Sequence, residues 1–180
     1  MPSFLYTRPM TSVRSARLSL LLILLLAACT SRNAQVTSFE ECVAAGNPVM
    51  ESYPRQCSAG GKNFTEDIGN AVEKKDLIHA DRPKPGDLVQ GTMTIEGQAR
   101  GTWYFEASFP IQLVDDLGNE LSLSHAQAQG DWMTEDFVPF TATMTVPATN
   151  RERGVLILEK DNPSEMPENA DALRIPIKFR

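Results

Sequence analysis

The chain has 180 residues, with 17 Lys plus Arg against 23 Asp plus Glu and a formal charge of −6, enough for one domain of ordinary size with short appended units. The acidic balance excludes a general nucleic-acid binder, because phosphate recognition works through clustered cations that release counterions. Three cysteines and two histidines leave little material for a metal centre or a histidine-based catalyst.

At the N-terminus, Arg8, Arg14 and Arg17 surround and precede the apolar run Leu18 to Leu26, which small residues follow. This is the layout of an export signal. This nine-residue run makes a helix of about 14 Å, too short for a permanent span of a bilayer core of about 30 Å. The junction Leu26-Ala27-Ala28-Cys29 resembles the lipobox of bacterial lipoproteins, which implies removal of residues 1–28 and acylation of Cys29. A plain secretory signal is the alternative, but it would leave Cys29 as an odd thiol in an oxidising compartment. The lipoprotein resemblance implies a membrane partner reached through several acyl chains, each buried CH₂ contributing ~0.8 kcal/mol. It also implies an extracytoplasmic place in the bacterial cell envelope, at the outer membrane if the host is diderm, since Thr30 and Ser31 are not Asp. Without residues 1–28 the chain keeps 14 bases and 23 acids, a formal charge of −9.

Residues 29–38 are polar and aperiodic, as a tether would be. Cys42 and Cys57 then form an even pair, read as a structural disulfide contributing ~3 kcal/mol on the chain-entropy model. With His79 and His125 isolated from them and from each other, no zinc-ligand spacing exists. The pair staples a small unit, residues 39–66. Within it "YPRQCSAGGKNF" (Tyr53 to Phe64) is similar to the short signature inside Kazal-type protease inhibitors. That similarity implies, as an alternative function, a serine protease inhibitor on the secreted side. The two cysteines of this segment, where the inhibitor family uses six, remove the rigidity that makes such loops bind tightly. Residues 67–87 have few large apolars, mixed charge and a Pro83-x-Pro85-Gly86 break, and read as a linker.

From Leu88 the pattern becomes period two. After a first strand over Val89 to Ile95, the positions Trp103, Phe105, Ala107, Phe109, Ile111 and Leu113 alternate with Tyr104, Glu106, Ser108, Pro110 and Gln112, predicting one long strand with a buried and a wetter face. Pro110 cannot donate a ladder bond, so a bulge or an edge is expected there. Asp115 to Asn119 supplies a turn, and Leu121 and Leu123 restart the alternation. Phe140, Ala142, Met144 and Val146 alternate with three threonines, "GVLILE" (residues 154–159) is apolar on both faces, and Leu173, Ile175, Ile177 and Phe179 close an edge-like strand. Six or seven one-faced strands in residues 88–180, without an amphipathic helix, predict a mainly β protein built as an immunoglobulin-like antiparallel β-sandwich, although the Cys…Trp…Cys spacing of antibody domains is absent.

"GTWYFEASFPIQLVDDLGNEL", "GDWMTEDFVPFTATM" and "GVLILEKDNPSEMPENADALRIPIKF" resemble, in order and spacing, the bacterial spore-germination-associated immunoglobulin-like domain, the second Gmad type, over about residues 86 to 180. The resemblance implies an extracytoplasmic module that binds an envelope protein or polymer, or positions other domains. It carries over no catalytic residue, and fold-level likeness supplies only a prior on function.

No G-x-S-x-G elbow, H-E-x-x-H, P-loop or G-x-G-x-x-G is present, so neither an enzyme nor a cofactor is expected. Acidic residues on three turns do not match a calcium-loop spacing, and turn geometry explains them first, so no metal is expected. Two pairs are candidate binding residues. Tyr104 and Glu106 lie on the outward set of the long strand, where an aromatic and a carboxylate suit a recognition face, against the preferred reading of an ordinary solvated face. Trp132 and Met133 lie in "GDWMTEDFVPF". There Trp132 is expected as a plug under a loop, and as an anchor for a partner if exposed.

Overall fold

The computed structural model describes Ser3 and residues 35–179. The export segment 1–28, the acylation site Cys29 and most of the tether lie outside the described residues.

Helix α1 (Phe39–Ala44) begins at Ser38, whose hydroxyl accepts from the Glu41 amide at 3.1 Å, satisfying one of the amides that a first turn leaves open. A three-stranded meander follows, β1 (Val49–Met50), β2 (Gln56–Ala59) and β3 (Lys62–Thr65). Gly60 and Gly61 turn the last hairpin with φ of 56° and 77°, the left-handed pair that a two-residue loop requires. Cys42 of α1 and Cys57 of β2 form a disulfide and are fully buried. That bond joins helix to sheet in a unit too small to do so with apolar packing alone. Arg55 adds a second clamp, lying 5.4 Å over the Phe39 ring and pairing with Glu66.

The remaining strands are β4 (Ile78–Arg82), β5 (Gly91–Arg100), β6 (Ser108–Asp115), β7 (Glu120–Ala128), β8 (Phe137–Val146), β9 (Arg153–Glu159) and β10 (Ala172–Lys178). They form one antiparallel series in the order β10-β9-β6-β7-β8-β5-β4. β7 and β8 pair only at Gln127–Thr141 and Ala128–Phe140, so the series folds over at that corner into two layers, β4-β5-β8 and β10-β9-β6-β7. Their inner faces share one apolar core, as in an immunoglobulin-like sandwich. At the opposite corner the chain itself changes layer. After β4 has paired with β5, Leu88 makes a parallel bridge to Lys178, with Gly86 N donating to Pro176 O and Val89 N to Lys178 O, both at 2.8 Å.

Periodicity located the inner faces of two strands: Phe140, Ala142, Met144 and Val146 on β8, and Leu173, Ile175 and Ile177 on β10 are all buried, while β9, apolar on both faces, buries Leu156, Ile157 and Leu158 in succession. On β7 the alternation fails at Leu123, which is 60% exposed; its neighbours Ser122, Ser124 and Ala126 turn inward instead.

Residues 67–87 are not a free linker. They contain β4, and before it Ile68 is buried and Asn70 lies along the outer edge of β10. The Asn70 side chain donates to Ala172 O at 2.8 Å and accepts from Arg174 N at 2.7 Å, the two bonds that a neighbouring strand would make there. Gly69 rests on the same edge, where a Cβ would come within 2.0 Å of Arg174 O. A short helix α2 (Ala71–Lys74) follows, tied by Lys74 to Asp171 at 2.6 Å. Composition conceals this segment because an edge element buries few side chains and uses backbone and amide groups for the rest.

The strand predicted from Trp103 to Leu113 is also broken. A 3₁₀ turn covers Gly101–Trp103, and β6 starts only at Ser108. Between them Glu106 and Ala107 have φ of 49° and 61°, incompatible with an extended strand.

Below the other end, Asp115 accepts hydrogen bonds from Leu117 N, Asn119 N and the Asn119 amide at 2.8–2.9 Å. The Asn119 bonds come first among the causes that hold its carboxyl below the ordinary 3.8. A depressed folded value means that this stabilisation is complete above pH 3.8 and is lost as the pH falls through that lower value. Asp115→Asn is expected to flatten the acid limb of a plot of urea midpoint against pH below pH 4, measured by far-UV circular dichroism, with little change in the slope near neutrality.

Candidate functional site

The antiparallel order brings the β5–β6, β7–β8 and β9–β10 connections to one end of the sandwich. Backbone hydrogen bonds link all three: Gly101 N donates to Asp136 O at 3.1 Å, and Asp161 N donates to Trp103 O at 3.0 Å. Gly101 has to be a glycine for this, because a Cβ would lie 1.9 Å from Thr134 O and 2.3 Å from Trp132 O.

In the β5–β6 connection, Phe105 and Ser108 exchange two backbone bonds at 3.0 Å around Glu106 and Ala107. This is the two-residue turn in which Asn-Gly is usual, made here by residues whose Cβ atoms disfavour it. Glu106 is exposed at its tip and Phe105 is 44% exposed beside it. Tyr104 is not on an outward face: it is buried, its hydroxyl donates to Val138 O at 2.8 Å, and its ring meets Phe109 edge-on at 5.2 Å. Burial pushes its phenol well above the ordinary 10, so it serves as a neutral donor that fixes the turn and cannot meet a partner. The reason is the turn itself, which reverses the facing that strict alternation assigns.

In the β7–β8 connection, Trp132 is half-buried and packs against the core, while Met133 is 77% exposed. The adjacent pair thus divides into a plug and a surface residue. Met133 N donates to Asp131 Oδ1 at 3.0 Å, Thr134 N to Trp132 O at 2.8 Å, and Asp136 N to the Thr134 hydroxyl at 3.2 Å. Arg100 closes the base of the loop, donating to Glu135 O and Asp76 O and lying 4.2 Å over the Phe137 ring.

The sequence marks the β9–β10 connection only as one of the three acidic turns. Asn162, Ser164 and Asn169 bond one another and the backbone of Met166, and Met166 is 46% exposed. Glu165 is left-handed at φ 54°. Together with Glu106 and Ala107 it makes up all the left-handed non-glycine residues among those described, and all three lie in these loops. Strained backbone of this kind, costing ~1–3 kcal/mol per residue, collects at functional sites. The signal that could have been read is a lone Met in an otherwise polar run, "DNPSEMPENAD".

The histidines lie apart from any such cluster: His79 on β4 packs against Phe137 at 5.5 Å, and His125 is exposed on β7. Among the described residues no three His, Cys, Asp or Glu side chains gather to hold a metal ion, and no helix is long and apolar enough to cross a membrane.

A two-layer sandwich that presents three interlinked loops at one end defines an immunoglobulin-like binding or scaffolding module. Residues 77–166 match the family model of Gmad2, the immunoglobulin-like domain of bacterial spore germination, and the chain belongs to that family. The match starts at Leu77, so it takes in β4, and stops at Met166, ahead of β10, which nevertheless pairs with β9 along its whole length. Gmad2 is a family of immunoglobulin-like domains, not of enzymes. No curated protein and no solved structure matches the chain.

Two changes test the construction of this end. Tyr104→Phe leaves Val138 O without its donor and is expected to cost about 1–2 kcal/mol, read as a lower urea midpoint at unchanged slope. Replacing Glu106-Ala107 by Asn-Gly relieves the left-handed pair and is expected to raise stability by about 1 kcal/mol; a loss of stability would show that the turn has another geometry.

Proposed function

We infer that the chain is a non-enzymatic, lipid-anchored protein of the bacterial cell envelope whose immunoglobulin-like module binds or scaffolds another envelope component through its loop end. The observation that carries the binding half is the gathering of exposed Phe105, Met133 and Met166 on three loops whose bases are bonded together. Large apolar side chains presented on well-fixed loops are ready contact points for a partner. The anchoring half rests on Leu26-Ala27-Ala28-Cys29 behind the export segment. The folded unit begins at α1, which lies against the far end of the sandwich, with Glu40 3.7 Å from Lys178.

Cys29→Ser is expected to block processing and to release no lipid-modified form, as measured by metabolic labelling with a fatty acid; unchanged labelling in this variant overturns the anchor. A photo-crosslinking amino acid at Met133 is expected to trap an envelope component in intact cells, whereas the same probe at Leu117, exposed at the opposite end, is expected to trap none. Equal capture at both positions overturns the loop end as the binding surface.

A further inference from the structure

Charge divides unevenly between the two ends of the sandwich. The connections 101–107, 129–136 and 160–171 hold eight carboxylates and one cation, Lys160, and residues 71–77, which lead into β4 at the same end, add two acids and two bases, Lys74 and Lys75, so this end stays strongly acidic although the whole chain is only −6. At the opposite end, the connections 83–90, 116–119 and 147–152 hold three acids and two bases. Glu106, Asp131, Glu135, Asp136, Glu165 and Glu168 are all exposed, and none of their side chains takes part in an ion pair among the described residues. Asp171 is the one carboxylate of this end that is paired, to Lys74.

Phe105, Met133 and Met166 stand among these carboxylates, one on each connection. Exposed apolar side chains set on loops of one sign of charge select a partner by both features: apolar side chains that can cover them, and opposite charge. We propose that the loop end is a docking surface for a polypeptide segment that carries Lys or Arg together with apolar side chains. This rests on the reading of the loop end as the binding surface, and adds to it the chemistry of the partner.

The same arrangement disfavours the other classes of envelope component. Nucleic acid, anionic lipid headgroups and phosphate-bearing polymers would bring like charge against eight carboxylates. A neutral saccharide would leave the charge without a role. Flexible Met side chains at two of the three positions suit a surface that adapts to varied apolar side chains. The loops themselves are held by their own hydrogen bonds and by Arg100 and Gly101, so little ordering is needed on binding.

The test uses the full chain in a nonionic detergent, with detergent alone as the blank, so that the outcome does not depend on acylation of Cys29. The probe is a dye-labelled peptide of Lys, Leu and Gly in equal number, followed by fluorescence anisotropy at two salt concentrations. Binding is expected, weakening as salt rises through the range where screening shortens to about 8 Å. Replacing each Leu of the peptide by Gly is expected to weaken it about tenfold, and replacing each Lys by Glu to abolish it. In the protein, Glu135→Lys with Glu168→Lys, and separately Met133→Ser, are each expected to weaken binding by about fivefold or more. Asp81→Lys with Glu152→Lys, remote from the loops, is expected to change nothing, and circular dichroism melts confirm that all variants fold.

No binding, equal binding of the Leu-free peptide, indifference to the loop variants, or an equal effect of the remote pair would each overturn the proposal. An acylated chain that ignores the peptide loses only this docking surface. A chain that binds the peptide through these residues without being acylated keeps the surface and loses the anchor.

Discussion

Phe109 of β6 and Phe140 of β8 meet edge to face with centroids 5.0 Å apart, and the contact between the two layers is centred on that pair. Tyr104 extends it on one side, and fully buried Trp103 lies in the same core. Gly97 of β5 makes the space, since a Cβ there would come within 2.8 Å of the Phe140 ring and 2.2 Å of His79 O. Large rings facing a glycine let two pleated sheets close without a void. Truncation of a buried aromatic ring costs ~3–5 kcal/mol, a large share of the ~5–15 kcal/mol that separates a typical domain from its unfolded chain.

The loop end inherits its order from that core. Tyr104 and Trp103 belong both to the packed interior and to the β5–β6 connection, so the turn at Glu106 and Ala107 is fixed from below by buried rings. Gly101 then fixes the β7–β8 loop by close backbone contact, and Trp103 O fixes the β9–β10 loop. A surface built this way changes shape little on binding, which is the behaviour expected of a recognition module more than of a lid or a switch. The cystine unit holds together by different means, a disulfide and a paired arginine, because thirty residues do not enclose a comparable core.

Sequence periodicity was informative wherever a strand has one dry face. β8 and β10 could be read residue by residue because burial of alternate side chains leaves a record in their composition, and β9 showed itself as a covered strand by being apolar on both faces. Two stretches left no such record. Residues 67–87 bury only the widely spaced Ile68, Ile78 and Pro83 and otherwise interact through the Asn70 amide, backbone groups and glycine contacts, none of which imposes a hydrophobic pattern. Residues 103–113 carried a false record: Phe105 and Ala107 continue the alternation numerically, and nothing in Glu106-Ala107 announces a turn that Asn-Gly would have made obvious. The candidate site was accordingly half legible. Glu106, Trp132 and Met133 lie in the loops of the end proposed for binding, the missed turn carries Tyr104 inward, and neither Phe105, which continues a strand pattern, nor Met166, alone in a polar run, is marked by periodicity.

Asn70 has a consequence beyond the edge that it covers. An open strand edge presents unpaired N–H and C=O groups that would template pairing between copies. One carboxamide, with Gly69, and the run Gly86–Val89 occupy the outer groups of β10 from Ala172 to Lys178. The charged side chains Asp81 and Arg82, with a register shift, blunt β4 at the other margin of the sandwich. Copies crowded side by side can then remain separate molecules, each with its own loops free, instead of fusing through their backbones into a continuous sheet.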